Sequence, residues 1–562
     1  MNKEVNERLK GIISAAIKKN IKKLSSDLTE IPPVILTTPK NPEHGHVSTN
    51  IALQLSRFLQ KNPRQIASMI IEEIEKDKEE FIDNVVVAGP GFINFYLAKN
   101  LLHDVLGEIV RENEKYGYSM IGKKKKINIE FVSVNPTGPL HVGHGKCAAV
   151  GDSLAKILKA AGYQVTTEYY INDHGKQMDI LAASVLARYL NLIGEEAEFP
   201  ENGYKGQYII DLAKEIIKEY KDKFKKNYDN QETLEFFKKY AHKKILQDIK
   251  NDLSDFGVNF DLWFSEESLY KDNKVKSVID RLLKEDYVYY QDGALWLKAS
   301  EFGDEKDRVV IRDNGEPTYF ASDIAYHDDK YKRGFETLID IWGADHHGYI
   351  KRMKAAVKAL GHNSDSFQVL LVQFVTLVKE GKAIGMSTRG GEFVTLKDLL
   401  KEVGRDVARY FFLMHSYDSH TVFDLDIAKS ESMENPVFYI QYAYARICSI
   451  IEKAKSANIV IDFKGNQKYN LDLLKQKEEL ELIRKLAHFR KVIERSALNW
   501  KPYLIANYLH DLAAAFHKYY TEYKVITDNK NLTLARLYLL HAIKIVLENA
   551  LNLLGIVAPN RM

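Results

Sequence analysis

The segment INIEFVSVNPTGPLHVGH, residues 127–144, carries the clearest structural pattern in this 562-residue chain. Its first eight residues alternate apolar and polar side chains and are rich in β-branched residues, which predicts a strand. Two prolines and a glycine at 135–139 predict a loop. Residues 142–161 then predict a helix capped by Gly162, and residues 163–171 predict a second strand. This order predicts a βαβ unit, and therefore a parallel sheet.

Further units of the same kind extend the predicted sheet. Residues 338–342 predict a strand, 348–360 a helix and 366–378 another strand. A lysine-rich helical stretch at 208–256 separates these units from the first and is interpreted as an insertion. The predicted fold class is therefore α/β, with a Rossmann-like parallel-sheet domain at the centre of the chain.

The sequence on either side of this region predicts two more domains. Before residue 116, helical stretches and a strand-like segment broken by Gly89-Pro90-Gly91 predict an N-terminal α+β domain. After residue 395 almost all of the sequence predicts helices, which favours a C-terminal all-α bundle. We expect domains at 1–115, at 116–395 with a helical insertion around 190–260, and at 396–562.

Composition excludes several classes of protein. Hydrophobic residues make up 45% and charged residues 28% of the chain, which is typical of soluble globular proteins. No apolar run reaches the roughly 18 residues of a membrane helix, and the polar N-terminus lacks a signal-peptide pattern. The two cysteines, Cys147 and Cys448, exclude a zinc cluster built from cysteine and favour a reducing cytoplasm. A net charge of +3 indicates no nucleic-acid partner by itself, so any such surface must be local.

His141-Val142-Gly143-His144 lies between the first predicted strand and the following helix. The amides and the dipole of a helix N-terminus favour anions, and two imidazoles there can donate to charge that develops on a phosphate. Gly143 leaves room for a nucleotide base. A metal-binding pair and ordinary loop histidines are the alternatives, and the strand and helix on either side favour nucleotide binding.

A second loop, Gly385-Met-Ser-Thr-Arg-Gly-Gly391, follows a predicted strand and precedes a predicted helix. A glycine-bounded loop with a cation can close over a triphosphate. Taken alone, the segment is more often a surface turn. Its interpretation therefore depends on the rest of the chain.

Together the two loops resemble the HIGH-type and KMSKS-type signatures of class I aminoacyl-tRNA synthetases. Longer stretches are similar to bacterial-type arginyl-tRNA synthetases, and the similarity extends over nearly the whole chain. These stretches are 43–50, 87–95, 130–144, 170–177, 317–326, 342–348 and 553–562. The resemblance implies an N-terminal domain that binds the tRNA elbow, a Rossmann-like catalytic domain and a helical anticodon-binding domain.

The resemblance also assigns roles to single residues. A carboxylate can meet the planar guanidinium of arginine with two parallel hydrogen bonds. The arginine-binding residues implied by the family are Glu130, Ser133, Asn135, His144, Tyr319, Asp323 and His346, with Asp323 and Tyr319 at the guanidinium. The residues implied for ATP and catalysis are His141, Gly143, His144, Gly343, Asp345, Met386, Ser387 and Arg389. Structural alternatives are a solvated edge residue for Glu130, a helix cap for Asp345, and a helix-start carboxylate and core aromatic for Asp323 and Tyr319.

Gly385 departs from the family pattern. The family places lysine or arginine at this first position of the loop, or otherwise a lysine just before the first histidine of the other motif. Here that stretch is Thr137-Gly-Pro-Leu140, so both cations are missing. Arg389, Lys382 and Lys146 remain as candidates, in that order of preference.

The resemblance thus implies an enzyme that forms arginyl-adenylate from arginine and ATP and transfers arginine to the 3′ end of tRNA(Arg). It implies ATP with Mg²⁺ as substrate, no tightly bound cofactor and no metal held by the protein. The expected partners are tRNA(Arg), arginine and ATP, without a membrane, and the chain is expected to be a cytoplasmic monomer. The alternatives are another class I synthetase or a small nucleotidyltransferase. The two appended domains disfavour the nucleotidyltransferase, and the absence of zinc-ligand cysteines disfavours a cysteine-specific synthetase. Gly385 supports one alternative, a catalytically weak paralogue that only binds RNA.

Overall fold

The computed structural model describes residues 3–24, 31–37, 39, 44–226, 228, 230–384, 394–459, 461–463 and 469–562. Within these ranges the N-terminal elements form an α+β unit with its own core. They are α1 (Lys3–Leu24), β1 (Val47–Thr49), α2 (Ile51–Leu59), α3 (Pro63–Lys76), β2 (Ile82–Ala88) and β3 (Phe92–Leu97). The strands form an antiparallel sheet in the order β1-β3-β2. Aliphatic residues between Val5 and Leu97, together with Phe81 and Phe95, fill the core of this unit.

The central elements alternate strands and helices. They are α4 (Lys99–Glu112), β4 (Lys126–Phe131), α5 (Val142–Ala160), β5 (Gln164–Ile171), α6 (Lys176–Leu192), α7 (Gln207–Tyr220), α8 (Gln231–Asp255), β6 (Leu262–Ser265), α9 (Glu266–Lys271), α10 (Lys274–Lys284), β7 (Val288–Gln291), β8 (Ala294–Leu297), β9 (Arg308–Ile311), α11 (Tyr319–Lys332), β10 (Thr337–Gly343), α12 (Ile350–Ala359), β11 (Phe367–Val372), β12 (Val375–Lys379) and β13 (Lys382–Ala383). Five strands form a parallel sheet in the order β11-β10-β4-β5-β6, which confirms the α/β fold class. Its middle strand, β4, is buried from Ile127 to Phe131, as expected when helices cover both faces.

Two features of this region differ from the sequence prediction. The strand predicted over 366–378 is two strands, because the chain turns at Gln373 and Phe374 and β12 enters a separate sheet. The Gln373 amide donates to the Tyr417 carbonyl at 2.9 Å and holds this turn. A second small sheet, β7-β8-β9, is antiparallel and lies in a region for which no strands were predicted. Short strands such as these, of four residues each, give little periodicity.

The C-terminal part is helical, as predicted, apart from one strand. Its elements are α13 (Leu396–Val403), α14 (Arg405–Leu413), β14 (Thr421–Asp424), α15 (Leu425–Lys429), α16 (Pro436–Ser456), α17 (Lys477–Asn499), α18 (Tyr503–Glu522) and α19 (Lys530–Leu553). Strand β14 pairs in parallel with β12 and so attaches this part to the central region. Among the described residues, no helix has both the length and the apolar character needed to span a membrane.

Helix α4 packs on the C-terminal helices rather than on the N-terminal unit. Its residues Val105, Leu106 and Ile109 are buried in the core shared by the central and C-terminal elements. The following Tyr116 donates its hydroxyl to the Leu486 carbonyl on α17 at 3.0 Å. The predicted boundary at residue 115 assigned α4 to the first domain, whereas the apolar core of that unit ends at Leu97.

Candidate active site

One cavity of about 780 Å³ opens at the carboxyl ends of β4, β5, β10 and β11. This edge is where parallel α/β sheets bind ligands. The structure describes eleven of the residues predicted for the site, and all of them line this cavity. They are Glu130, Ser133, Asn135, His141, Gly143, His144, Tyr319, Asp323, Gly343, Asp345 and His346. Met386, Ser387 and Arg389 lie outside the described residues.

The backbone bends sharply where β4 meets the cavity. Val132 and Ser133 both have positive φ angles, of 69° and 43°. A β-branched residue in this region is strained, and such strain clusters at functional sites. The bend directs the Ser133 hydroxyl to β5, where it accepts from the Tyr170 amide at 3.0 Å. Its own hydrogen stays available for a ligand, because a hydroxyl is both donor and acceptor.

The two histidines form the N-terminal cap of α5. His141 Nδ1 accepts from the Gly143 amide at 3.1 Å, and His144 Nδ1 accepts from the His141 amide at 3.2 Å. Their rings are stacked with centroids 3.4 Å apart. Burial lowers the pKa of both rings, and the neighbouring His141 lowers that of His144 further. Both imidazoles are therefore neutral at pH 7, and because Nδ1 is the acceptor, the proton of each lies on Nε2.

Asp323 lies at the other end of the cavity, on α11. Its carboxylate accepts a short hydrogen bond from the Tyr349 hydroxyl and is otherwise partly open to the cavity. Burial raises the pKa of Asp323, and the bond from Tyr349 opposes this. Tyr319 opens the same helix, with Thr318 as its N-cap, and more than half of its surface is exposed. Asp323 is thus a carboxylate in a poorly solvated pocket, which suits a cationic ligand.

Glu130 is held by the protein itself. Its Oε2 accepts from Lys330 Nζ at 2.5 Å, and the same ammonium donates to Asp340 Oδ1 at 3.0 Å. Lys330 is fully buried; burial opposes its charge, but the two carboxylates outweigh this and raise its pKa. His327 Nε2 lies 3.0 Å from Asp340 Oδ2 and completes the cluster. Glu130 is therefore buried and paired rather than a solvated edge residue.

Asn135 has both ends of its amide engaged. Its Oδ1 accepts from Asn172, and its Nδ2 donates to Gln177 Oε1. These bonds hold the Asn135 amide in place and leave it one lone pair and one hydrogen for a ligand. Asn172 and Gln177 line the cavity beside it.

Gly343 and Asp345 close the cavity after β10. A Cβ atom at Gly343 would lie 2.5 Å from Asp345 Oδ1, so a larger residue would displace that carboxylate. Asp345 and His346 are mostly exposed, with Oδ2 and Nε2 3.6 Å apart. Asp345 lies in the first turn of the short helix that starts here, whose N-cap is Gly343, so Asp345 is not the capping residue.

Two of the three candidate replacements for the cation missing at Gly385 lie among the described residues, in different surroundings. Lys146 is fully buried, and its ammonium donates to the carbonyls of Gln373 at 3.1 Å and Ser419 at 3.0 Å. It therefore points neither into the cavity nor to solvent. Lys382 is exposed on β13. Leu396 donates its amide to the Leu140 carbonyl at 2.8 Å, and Thr395 forms an isolated β-bridge with His141, so residues 395 and 396 lie beside the first histidine of the cavity.

The sequence analysis did not identify several residues of the cavity wall. They are Tyr170, Asn172, His174, Tyr326, His327, Asp340, Trp342, Tyr349 and Gln373. A charged Asp340 inside an otherwise apolar strand was the available signal. The spacing of Asp323, His327 and Lys330 on α11 was another, since residues three and four apart share a helix face.

Comparison with known proteins covers the chain from end to end. The arginyl-tRNA synthetase N-terminal domain matches residues 11–97, the catalytic domain of class I (R) tRNA synthetases matches 105–423, and the DALR anticodon-binding domain matches 440–562. The arginine–tRNA ligase of Citrifermentans bemidjiense is 46% identical over 559 residues, which are 99% of this chain and 100% of that relative. That of Listeria monocytogenes serovar 1/2a is 48% identical over 535 residues, 95% of each chain.

Solved structures agree with these matches. A Campylobacter jejuni crystal structure, provisionally named an arginyl-tRNA synthetase, superposes with a TM-score of 0.75 at 36% identity, covering 83% of this chain and 100% of that one. Thermus thermophilus arginyl-tRNA synthetase shares the fold, with a TM-score of 0.74 at 22% identity over 99% of this chain and 100% of that one. Because nearly the whole sequence is shared with these relatives at close to half identity, the chain belongs to the arginyl-tRNA synthetase family.

Proposed function

We propose that the chain activates arginine with ATP and transfers the arginyl group to tRNA(Arg). The observation that carries this proposal is one cavity lined by eleven residues predicted for it, with neutral imidazoles and a poorly solvated carboxylate in its wall. Its volume of about 780 Å³ lies within the range of roughly 300–1,000 Å³ that is typical of small-molecule sites.

Arginine would lie with its guanidinium at Asp323 and Tyr319. Asp323 accepts from Tyr349 through one oxygen, so its remaining lone pairs are available to guanidinium N–H groups. The fixed amide of Asn135 and the Ser133 hydroxyl would hold the α-ammonium and carboxylate. Glu130 would add only a little negative potential to the pocket, because Lys330 neutralises much of its charge. His346 would lie along the pocket.

ATP would lie across the N-terminus of α5. The Nε2–H groups of His141 and His144 would donate to phosphate oxygens together with the helix amides. Gly143, Gly343 and Asp345 would face the nucleoside. We propose Mg²⁺ as the companion of ATP in the substrate, and Met386, Ser387 and Arg389 as further contacts to the triphosphate.

The chemistry needs no nucleophile from the protein. A carboxylate oxygen of arginine attacks the α-phosphorus, the bond to the β-phosphate oxygen breaks, and pyrophosphate leaves with the electron pair. A terminal hydroxyl of tRNA then attacks the acyl carbon of the adenylate, and AMP leaves. The protein contributes position and charge stabilisation.

The remaining parts of the proposal concern the other domains and the state of the chain. The N-terminal unit would bind the tRNA elbow, and helices α16–α19 would bind the anticodon. One tRNA molecule would therefore contact both the N-terminal and the C-terminal part of the chain. Adenylate formation would require bound tRNA. We propose a monomer that acts in the cytoplasm, where the free thiols of Cys147 and Cys448 stay reduced.

Pyrophosphate exchange with each of the twenty amino acids, with and without tRNA, tests the activity. We expect exchange with arginine alone, and only when tRNA is present. Lack of exchange with arginine in the presence of tRNA(Arg), by a chain that still binds this tRNA, would favour the RNA-binding paralogue. Exchange with a different amino acid would point to another class I synthetase.

A further inference from the structure

The loop between β4 and α5, residues 134–140, is held in place through its backbone carbonyls. Two of these carbonyls accept from tyrosine hydroxyls: that of Val134 from Tyr169 at 2.9 Å, and that of Thr137 from Tyr208 at 2.6 Å. Tyr169 lies on β5, inside the sheet. Tyr208 is the second residue of α7, in the helical insertion, whose part in the site has not been described above. The insertion therefore contacts the loop directly.

The ring of Tyr208 is fitted closely to its surroundings. A Cβ atom at Gly138, in the loop, would lie 3.1 Å from the Tyr208 hydroxyl oxygen, and one at Gly206 would lie 2.4 Å from the ring carbon Cε1. A larger residue at either position would have to move the ring or the loop. Burial raises the pKa of Tyr208, and the neighbouring Tyr204 raises it further. The hydroxyl therefore keeps its proton at neutral pH and stays a hydrogen-bond donor.

Thr137 connects Tyr208 to a residue of the cavity wall. The Thr137 amide donates to the Asn135 carbonyl at 2.7 Å, so the residue that accepts from Tyr208 also closes a tight turn with Asn135. Asn135 and, at the other end of the loop, His141 line the cavity, whereas Thr137 and Tyr208 do not. Tyr208 therefore acts on the site through the backbone of the loop and not by touching a ligand.

The loop depends on such outside contacts because of its own sequence. It follows Val132 and Ser133, whose positive φ angles are costly. Pro136 and Pro139 have no N–H groups, so they cannot donate hydrogen bonds within the loop. A strained backbone persists when the surrounding structure determines its conformation. The hydroxyl of Tyr208 supplies one such contact near the middle of the loop.

We propose that Tyr208 is a positioning residue for adenylate formation, whose hydroxyl fixes the loop that separates Asn135 from His141. Asn135 would hold the backbone groups of arginine and His141 would meet the phosphates of ATP, so this loop sets how the arginine carboxylate faces the α-phosphorus. A misplacement of about 1 Å between reacting groups can slow a reaction by about a hundredfold. The helical insertion thus contributes to catalysis through α7. This inference rests on the proposed function of the site.

Tyr208→Phe removes one hydroxyl and keeps the ring, so it tests this contact with little change in packing. We expect the single-turnover rate of adenylate formation, with tRNA and saturating arginine and ATP, to fall by about tenfold or more. The amplitude should equal that of wild type, and the half-saturating ATP concentration should change by less than about twofold. Tyr240→Phe is the matched control within the insertion, because its hydroxyl on α8 bonds Glu219 at 3.1 Å, and it should keep the wild-type rate.

The amplitude separates positioning from a merely structural role. If Tyr208 only stabilised the fold, Tyr208→Phe would lower the fraction of active molecules, and therefore the amplitude, at an unchanged rate. That result overturns the proposal, as does a wild-type rate in folded Tyr208→Phe. A wild-type chain that forms no adenylate from arginine, ATP and tRNA would instead refute the proposed function, and this inference with it.

A second variant approaches the same contact from the loop. Gly138→Ala places a Cβ atom 3.1 Å from the Tyr208 hydroxyl, closer than ordinary van der Waals contact, and should slow adenylate formation at least about threefold at unchanged amplitude. Gly107→Ala on α4 is its control, because a Cβ atom there meets no atom within 4 Å, and its rate should equal that of wild type. If Tyr208→Phe does not fold, a wild-type rate in Gly138→Ala overturns the proposal.

Discussion

At the residue scale, Asp323 is the carboxylate that the proposed complex places against the guanidinium. Asp323→Asn keeps the size of the side chain and its contact with Tyr349 but removes the charge. We expect kcat/KM for arginine to fall by an amount equivalent to about 2–5 kcal/mol, while the affinity for ATP changes little. Steady-state charging at varied arginine measures this, with Asp280→Asn on the surface of α10 as control. Unaltered efficiency would remove Asp323 from the arginine pocket.

Glu266, the buried first residue of α9, is the subject of a prediction about stability. Its pKa is raised from 4.5 to about 7 in the folded chain, so the folded state binds the proton more tightly than the unfolded state. This group therefore destabilises the fold as pH rises from about 4.5 through 7, by up to about 3 kcal/mol. Glu266→Gln should melt at a higher temperature than wild type at pH 8 and at nearly the same temperature at pH 4.5. A difference that does not grow with pH would contradict the raised pKa.

At the scale of elements, helix α11 is joined to the sheet by buried charges. Lys330 bonds Glu130 on β4 and Asp340 on β10, and Arg333 bonds Glu168 on β5. These contacts fix the helix that carries Tyr319 and Asp323 relative to the strand ends. The charge network thus positions the site as well as holding the fold.

Lys330→Met should be strongly destabilising, because it leaves two carboxylates buried without their cation. We expect a loss of about 3–5 kcal/mol, measured by urea unfolding. Lys332→Met is the matched control on the same helix; the Lys332 ammonium is mostly exposed and pairs with Asp328 at 2.7 Å, so the effect should stay below about 1 kcal/mol. If both variants lower the free energy of unfolding equally, the buried contacts of Lys330 stabilise the fold no more than the exposed ion pair of Lys332.

Segment 385–393, for which the sequence predicts a loop, is the subject of the second prediction at this scale. Because position 385 is glycine, we expect Arg389 to be the cation that contacts the triphosphate. Lys146 is the weakest candidate for this role, because its ammonium is buried and donates to two backbone carbonyls. Arg389→Ala should slow adenylate formation by roughly a hundredfold, the effect of losing one charge-stabilising donor. Single-turnover adenylate formation with tRNA present measures the step. If neither Arg389→Ala nor Lys382→Ala slows adenylate formation threefold, neither of these two side chains replaces the missing lysine.

At the scale of the whole molecule, buried contacts join distant parts of the chain. Arg409 on α14 is fully buried and donates to the Leu554 carbonyl, to the Phe256 carbonyl and to Asp152 on α5. The Arg409 side chain therefore links three parts of the chain. They are the residue that follows α19, the residue that follows α8, and α5. Gly555 is needed beside it, because a Cβ atom there would lie 2.5 Å from the guanidinium.

The packing of α4 makes a prediction about truncation. Removing residues 1–97 should leave a folded remainder, because the N-terminal unit has its own core. This truncation should lower the affinity for tRNA, and the remaining affinity should depend less steeply on salt concentration. Removing residues 1–115 also deletes α4 and exposes the apolar surface of α17 and α19, so this remainder should melt at a much lower temperature. Thermal melts and tRNA binding at several salt concentrations compare the two. Equal stability of both truncations would contradict the packing of α4.

Local features of the sequence were sufficient to predict the βαβ unit around residues 127–171, the histidines at the start of α5 and the helical C-terminal part. Periodicity, proline and glycine act over a few residues, so a strand or a helix start can be recognised without knowing what packs on it. The family resemblance supplied the set of side chains that the structure then brought together in one cavity. Short strands such as β7–β9 lacked any such local pattern.

Only the tertiary structure decided how the charges of the site are paired. Glu130 meets Lys330 across 200 residues and Glu168 meets Arg333 across 165, and no spacing in the sequence encodes such a meeting. The same holds for Glu266, which is one glutamate among many until β5, β6 and α11 bury it beside Asp323. Burial and proximity set the ionisation of a carboxylate, and both are properties of the packed chain rather than of its order of residues.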